Sequence, residues 1–206
     1  MPRSRTEAFS DGIFAIAATL LVIEVGVPTP EDVSKAGSLW QALGNEWPSY
    51  AAYALSFGVI GIMWVNHHAT FDRVAHVDRT LVFCNVVLLG LVAFIPFPTA
   101  LLASFLKTGN NSASQTAAVT YSLIMLATSL AFVLIWWYLS RHRDLLRTDV
   151  EPHAPEVALR RSSFGVVVYL LTIPIAVVNA YVALAVFAGL ALFFIFAERP
   201  ARDVES

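Results

Sequence analysis

Long charge-free intervals alternate with short polar segments along the chain. The intervals without Asp, Glu, Lys or Arg are 47–69, 81–106, 117–140 and 164–197. A bilayer core of about 30 Å needs roughly 20 apolar residues per helix, so the first three intervals predict one span each. The last is divided at Asn179 and predicts two short spans. Together with an apolar N-terminal stretch, the pattern predicts six transmembrane helices, at approximately 5–25, 47–70, 79–106, 115–140, 160–178 and 180–198.

Composition supports the same class of protein. Of the 206 residues, 57% are hydrophobic and only 14% are charged, which is outside the usual range for a soluble domain. We therefore expect an all-α integral membrane protein with a single domain over residues 1–206 and a lipid bilayer as its surroundings. The net charge of −2 gives no indication of nucleic-acid binding. The single cysteine, Cys84, excludes a disulfide framework.

Positive charges are distributed unevenly among the connections. Eleven Lys and Arg residues fall at the N-terminus, the second and fourth connections and the C-terminus, while the first and third connections hold only Lys35 and Lys107. Cytoplasmic segments of membrane proteins carry such an excess of positive charge. The distribution predicts that both termini lie in the cytoplasm. Arginines flank the interval 164–197 on both sides, at positions 160, 161, 199 and 202, which favours an even number of crossings there.

One face of the first helix is a candidate functional surface. Steps of three, four and seven residues return to nearly the same azimuth of a helix, and they bring together Gly12, Ile16, Thr19, Leu20 and Ile23. Taken alone, the apolar members of this face are explained equally well by ordinary helix packing.

An acidic residue, Glu24, ends this helix at the predicted outer mouth. Acidic groups at a mouth raise the local concentration of cations. A solvated loop is the simpler explanation for the acidic residues of the connection that follows.

A polar cluster is predicted where the first three helices approach the inner membrane face. Its members are Ser10, Asp11, Trp64, Asn66, His67, His68, Asp78 and Asn85. Ionisable groups near the hydrocarbon are costly unless they are paired, so we expect Arg5 to pair with Asp11, or a histidine with Asp78. The cluster is then either a hydrogen-bond network that locks the helices together or a proton-sensing site at His67 or His68.

Enzymatic chemistry finds no support in the sequence. It contains no His-Glu-x-x-His motif, no glycine-rich phosphate loop and no Gly-x-Ser-x-Gly elbow. His67 and His68 are adjacent and point to different faces of a helix, which makes them poor joint ligands for a metal. We expect a protein that is not an enzyme and that carries no cofactor.

The start of the first helix resembles the signature of a known family. Arg5-x-x-x-Phe9-Ser10-Asp11 is similar to the motif of the transmembrane protein 175 family, endosomal and lysosomal potassium channels with prokaryotic relatives. Prokaryotic members of that family have one six-helix unit and form tetramers, and this chain shows no second unit. The resemblance implies a prokaryotic, single-repeat member in the plasma membrane, with the first helix of each subunit lining a central pore.

The resemblance also implies roles for the candidate face. Counted from Asp11, the family pattern places a constriction on Ile16, a hydroxyl layer on Thr19 and further apolar layers on Leu20 and Ile23. It implies a homotetrameric, potassium-permeable leak channel in which K⁺ passes transiently near Thr19 and Ile23, with other monovalent cations or protons as further permeants. A Thr-Val-Gly-Tyr-Gly filter is absent from the sequence, as it is from the family.

Two alternatives to a potassium channel stay open at this point. One is a proton-conducting channel that uses Asp11 and His67 or His68 as relays. The other is a membrane scaffold that conducts nothing.

Overall fold

A computed structural model describes residues 3–197, and over these residues the fold is all-helical, as predicted. The α-helices are α1 Arg3–Leu20, α2 Pro30–Ala36, α3 Leu39–Asn45, α4 Trp47–Asp72, α5 Arg79–Phe94, α6 Pro96–Phe105, α7 Ser112–Arg141, α8 Ala154–Val178 and α9 Ala180–Ala197. A 3₁₀ turn over Leu21–Glu24 continues α1. The predicted end of the sixth helix at residue 198, together with Arg199 and Arg202, lies outside the described residues.

Five helical segments are long and apolar enough to cross a bilayer. They are Arg3–Glu24, Trp47–Asp72, Arg79–Thr108, Ser112–Arg141 and Ala154–Val178. These segments support an integral membrane protein. The described apolar part of α9, Ala180–Phe194, is shorter than these five segments. The sixth crossing therefore stays a prediction.

The fifth span begins earlier than the sequence pattern predicted. The charge pattern predicts a start at about residue 160, but α8 begins at Ala154. Pro155 occupies the first turn of the helix, where a missing N–H costs nothing and the fixed φ of proline suits the helix. Pro155 therefore helps to start the helix within a segment that was expected as a connection.

Two further segments differ from the expected outline. The third span is divided at Ile95 into α5 and α6, because Pro96 begins the second helix. The first connection, expected as a loop, folds into α2 and α3. Thr29 and Asp32 form a capping box that starts α2, and Ser38 caps α3 by accepting a hydrogen bond from the Gln41 amide.

The arginine-rich segments meet at one end of the bundle, here called the arginine end. The Arg3 guanidinium donates to the backbone carbonyls of Asp72 and Val74, at 3.2 and 3.1 Å. The Arg147 amide donates to the Arg73 carbonyl at 2.9 Å. The N-terminal segment, the α4–α5 connection and the α7–α8 connection therefore lie together.

The other connections gather at the opposite end. Lys107, which follows α6, pairs with Glu46 at the start of α4. Asn110 donates to the Val178 carbonyl at 3.2 Å and accepts from the Ala180 amide at 3.1 Å, so the α8–α9 turn also lies here. Helix α9 consequently runs back towards the arginine end.

Candidate ion pathway along the first helix

The four predicted pore residues lie on one exposed face of the first span. Ile16 is 59% exposed, Leu20 41% and Ile23 72%, and Thr19 is exposed between them. On the opposite side Phe14, Ala17 and Leu21 are buried against the rest of the bundle. An apolar stripe thus faces away from its own subunit. We call Ile16, Thr19, Leu20 and Ile23 the α1 stripe.

A change in helix type keeps the stripe aligned at its outer end. Ile16 and Leu20 are four residues apart in the α-helix, which places them on one side. The chain then continues as a 3₁₀ turn, in which residues three apart eclipse one another because there are three residues per turn. Leu20 and Ile23 therefore stack along the same line.

The Thr19 hydroxyl is held by its own helix. Its Oγ1 donates to the Ile16 carbonyl at 2.9 Å, so the hydroxyl proton is engaged inside the helix. The lone pairs of the oxygen stay on the exposed side, where they can accept from water or interact with a cation. This hydroxyl is the polar group of an otherwise apolar stripe.

An apolar groove runs beside the α1 stripe. It has a volume of about 240 Å³ and lies between α1 and α5, with Ile16, Leu20, Val86 and Gly90 among its lining residues. Its walls carry almost no polar surface. The groove extends the apolar surface of α1 onto the third span.

Ser10, Asn85 and His67 form a buried hydrogen-bonded chain across three helices. The Asn85 amide donates from Nδ2 to the Ser10 hydroxyl at 3.0 Å, and its Oδ1 lies 2.8 Å from His67 Nε2. The Ser10 hydroxyl donates in turn to the Thr6 carbonyl at 2.8 Å. Since Oδ1 is an acceptor, this arrangement makes His67 Nε2 a donor.

Aromatic rings enclose the buried histidine. His67 is only 2% exposed, with its ring stacked on Phe71 at a centroid distance of 4.4 Å and tilted against Phe14 at 5.3 Å. The chain of hydrogen bonds and the ring contacts join α1, α4 and α5. This is the locking network that the sequence predicted as one of two interpretations of the cluster.

Asp11, the next residue after Ser10, uses a separate partner. Its Oδ1 accepts from Trp64 Nε1 at 2.9 Å, and His68 stacks on the Trp64 ring at 6.1 Å. The expected pairing of Arg5 with Asp11 is wrong: Arg5 is exposed and has no hydrogen-bond or ion-pair partner among residues 3–197. The indole N–H supplies one neutral hydrogen bond to this carboxylate and no compensating charge.

Phe9, the aromatic residue of the motif, is exposed. Its ring is 57% accessible and lines the start of the groove between α1 and α5. It therefore extends the apolar surface of α1 towards the arginine end.

Asp78 also differs from the prediction. Its carboxylate caps α5 by accepting from the Leu81 amide at 2.8 Å and accepts from the Tyr138 hydroxyl. The side chain that bonds it is thus a tyrosine, while His142 acts on it only electrostatically. Burial alone raises the pKa of the Asp78 carboxyl, but the two hydrogen bonds outweigh it and hold the pKa below its usual value. The residue joins the third span to the fourth.

Two other predicted residues stand apart from the cluster. The Asn66 side chain lines a different cavity on the far side of α4, because it is one step of about 100° from His67 on the helix. Glu24 is half buried at the end of the 3₁₀ turn, next to Ile23. Neither contacts the network of Ser10, Asn85 and His67.

Arg3 makes contacts that the sequence did not reveal. It was used only as a positive charge that sets topology, yet its guanidinium bonds Glu7 at 3.1 Å and the Asp72 carboxylate at 3.0 Å. The spacing of Arg3 and Glu7 was a visible sign of an i,i+4 pair. The contact with Asp72 had no local signal because the two residues are far apart in the chain.

Several known proteins are similar to this chain in sequence and in fold. The profile described as endosomal/lysosomal potassium channel TMEM175 matches residues 5–96. A potassium channel of Streptomyces collinus is 48% identical over 202 residues, which cover 98% of this chain and 96% of that protein. The endosomal/lysosomal proton channel TMEM175 of Rattus norvegicus is 31% identical over 156 residues, covering 73% of this chain and 31% of that protein.

A solved structure agrees over the same length. The crystal structure of a lysosomal potassium-selective channel TMEM175 homologue from Chamaesiphon minutus matches with a TM-score of 0.85 and 37% identity, covering 96% of this chain and 98% of that one. The profile match contains the motif from Arg5, the α1 stripe and the Ser10, His67 and Asn85 network. These relatives are ion channels and not enzymes. With its motif, its helices and nearly its whole length shared in this way, the chain belongs to the TMEM175 family.

Proposed function

We propose that the protein is a potassium-permeable channel, formed by four copies whose α1 stripes surround a common axis. The observation that carries the proposal is the exposure of Ile16, Leu20 and Ile23 in a single subunit, with a hydroxyl at Thr19 between them. The relatives in Streptomyces collinus and Chamaesiphon minutus are a potassium channel and a potassium-selective channel homologue, which supports potassium as the permeant ion.

The groove between α1 and α5 supports assembly. A single subunit leaves this apolar surface uncovered, and apolar helix surfaces in membranes associate by close packing where small residues permit it. Gly90 and Ala17 line the groove. A neighbouring subunit that packs here would place its own α1 beside this one, as a ring of first helices requires.

Four Ile16 side chains around the axis would form an apolar constriction. Such a ring conducts when it is wide enough to stay wet and closes by dewetting when it is narrow. One turn further along, Thr19 hydroxyl oxygens would replace part of the hydration shell of an ion that passes near Thr19 and Ile23. Potassium loses its water at a lower cost than sodium, so a pore that offers little compensation favours potassium.

The distribution of arginines supports an orientation in the plasma membrane. Arginines of the N-terminal segment, the second connection and the fourth connection meet at one end of the bundle, and cytoplasmic segments carry this bias. We therefore assign the arginine end to the cytoplasm and α9 to a sixth crossing, which returns the C-terminus to the same side. No bound cofactor is part of this proposal; K⁺ is the permeant ion.

Proton conduction is a second candidate because the rat relative is named a proton channel. Asp11 and His68 lie at the surface and are able to exchange protons with water. His67 is a poorer relay, since its Nε2 is held by the Asn85 amide, which has no titratable proton to pass on. Steep pH dependence of flux that His68→Gln removes would favour this candidate.

The deciding experiment is flux through purified protein in liposomes. Ile16→Asn should raise K⁺ flux on the order of tenfold, which corresponds to removing about 1.4 kcal/mol from a dewetting barrier. Leu171→Asn is the matched control, because Leu171 is 60% exposed on α8 and should leave flux unchanged. If the parent protein and both variants conduct no K⁺, the protein is a scaffold. If all three conduct equally, Ile16 is excluded as the constriction.

A further inference from the structure

A second, larger cavity lies on another side of the bundle. It has a volume of about 680 Å³ and is lined by α4, α7, α8, α9 and the segment before α8. The α1 stripe belongs to a different surface, so the proposed ion pathway makes no use of this cavity. Its volume is in the range of sites that hold small organic ligands.

The cavity extends from the arginine end to the middle of the bundle. Its lining on α4 runs from Val59 to Arg73, which corresponds to about 20 Å at the helical rise of 1.5 Å per residue. One leaflet of a bilayer core is about 15 Å thick. The cavity is therefore as long as one leaflet together with part of its headgroup layer.

Its walls change character along this length. Towards the middle of the bundle they are apolar, with Met63, Phe132 and Phe194. Two small residues of α8 also line the cavity: Ala158 near the arginine end, and Gly165 further along, where a Cβ would meet the Ser129 hydroxyl at 3.2 Å. Helix α8 therefore packs closely on α7 at Gly165, while the cavity lies between α8 and α4.

Two guanidinium groups mark the other end of the cavity. Arg73 lies over the Trp136 ring, 5.7 Å from its centroid, and pairs with no carboxylate among residues 3–197. Arg161, about two turns from the start of α8, also lines the cavity, together with one acidic residue, Glu151. The lining of this end therefore carries a net positive charge at the level where lipid headgroups lie.

We propose that this cavity binds an anionic phospholipid. The phosphate lies beside Arg73 and Arg161, and one acyl chain follows the apolar wall towards Val59. Basic pockets between membrane helices recognise anionic headgroups in this way. The apolar length selects a lipid over a free phosphate, because only a lipid fills the inner part of the cavity.

Lipid binding by the purified, detergent-solubilised protein tests the proposal. Phosphatidylglycerol and phosphatidylcholine with identical chains are titrated, and retained lipid is counted by native mass spectrometry. We expect roughly tenfold tighter retention of phosphatidylglycerol, and no competition from excess glycerol phosphate. Equal retention of the two lipids, displacement by glycerol phosphate, or no retained lipid because another protein copy covers the cavity would each overturn it.

The variants use one arginine as a matched control. Arg73→Gln combined with Arg161→Gln should abolish the preference for phosphatidylglycerol. Arg79→Gln should keep it, because Arg79 lies over Phe83 at the same 5.7 Å but outside the cavity. Ala191→Phe should reduce retention of both lipids by filling the apolar inner part, which Ala191 of α9 lines. An equal loss of preference in Arg79→Gln, or full retention of preference in the double variant, would contradict the site.

Discussion

Trp64 donates a hydrogen bond of 2.9 Å from its indole nitrogen to Asp11 and so joins the second span to the polar start of the first. The neighbouring Ser10 faces the interior instead and accepts from Asn85 at 3.0 Å. Two consecutive residues of one motif therefore hold α1 from two directions. This double attachment fixes the rotation of α1, and with it the direction in which Ile16 points.

The two adjacent histidines provide a stringent test of the buried network. His67→Phe keeps an aromatic ring but leaves the buried Asn85 oxygen without its donor, which should destabilise the protein by about 1 to 3 kcal/mol. His68→Phe should have little effect, because His68 is exposed and can stack on Trp64 as phenylalanine. Thermal unfolding in detergent measures both. Equal unfolding midpoints for the two variants would contradict the structural role of His67.

Thr19 is expected to influence selectivity through its oxygen. Thr19→Val keeps the shape of the side chain and removes the oxygen, so the preference for K⁺ over Na⁺ should fall about fivefold, the equivalent of about 1 kcal/mol. Thr19→Ser keeps the hydroxyl and its bond to the Ile16 carbonyl, and should retain most of the preference. Reversal potentials under bi-ionic conditions give the ratio. A valine variant as selective as the parent protein would remove Thr19 from the pathway.

The Asp78 carboxylate gives the fold a dependence on acid pH. Its pKa is lowered in the folded protein, so its stabilising contribution is present above the unfolded pKa of about 3.9. That contribution is lost as the pH falls through the lower folded value. Asp78→Asn keeps a capping residue but cannot ionise. We expect the parent protein to be more stable than this variant at neutral pH, and the gap to narrow as the pH falls below the unfolded pKa of about 3.9.

Tyr138 supplies the control for this pH effect. Tyr138→Phe removes the hydroxyl that donates to Asp78, and the losses in the two single variants should not add in the double variant, because they share one contact. Unfolding midpoints measured across pH values test both statements. A gap between parent and Asp78→Asn that is constant with pH would show that the carboxylate is not held in its charged form.

The hydrophobic pattern predicted the membrane helices better than their ends. Charge-free intervals are long-range features of composition, and the bilayer thickness converts them directly into spans. Helix ends depend on single residues such as Pro155, which lies in the first turn of α8 within a segment expected as a connection. Thr29 and Asp32 could have revealed α2 as a capping box, but the polar segment was interpreted as a loop.

The buried network was predictable in part of its membership and not in its pairings. Opposite directions of successive helices brought Ser10, His67 and Asn85 to one depth, and they are joined in the structure. Which residue bonds which depends on the rotation of each helix about its axis. A step of about 100° per residue separates buried His67 from its exposed neighbour His68, and no local pattern determines that rotation.

Glu24 is expected to attract cations to the outer end of the α1 stripe. Glu31 pairs with Lys35 at 2.8 Å and Glu46 with Lys107, whereas Glu24 has no cationic partner among residues 3–197 and keeps its charge unneutralised. Glu24→Gln should therefore lower K⁺ flux at an ionic strength of about 0.01 M and have little effect near 1 M, where salt screens the charge. Glu31→Gln is the control and should leave K⁺ flux unchanged at both ionic strengths. A loss of flux independent of salt would assign Glu24 a structural role in place of an electrostatic one.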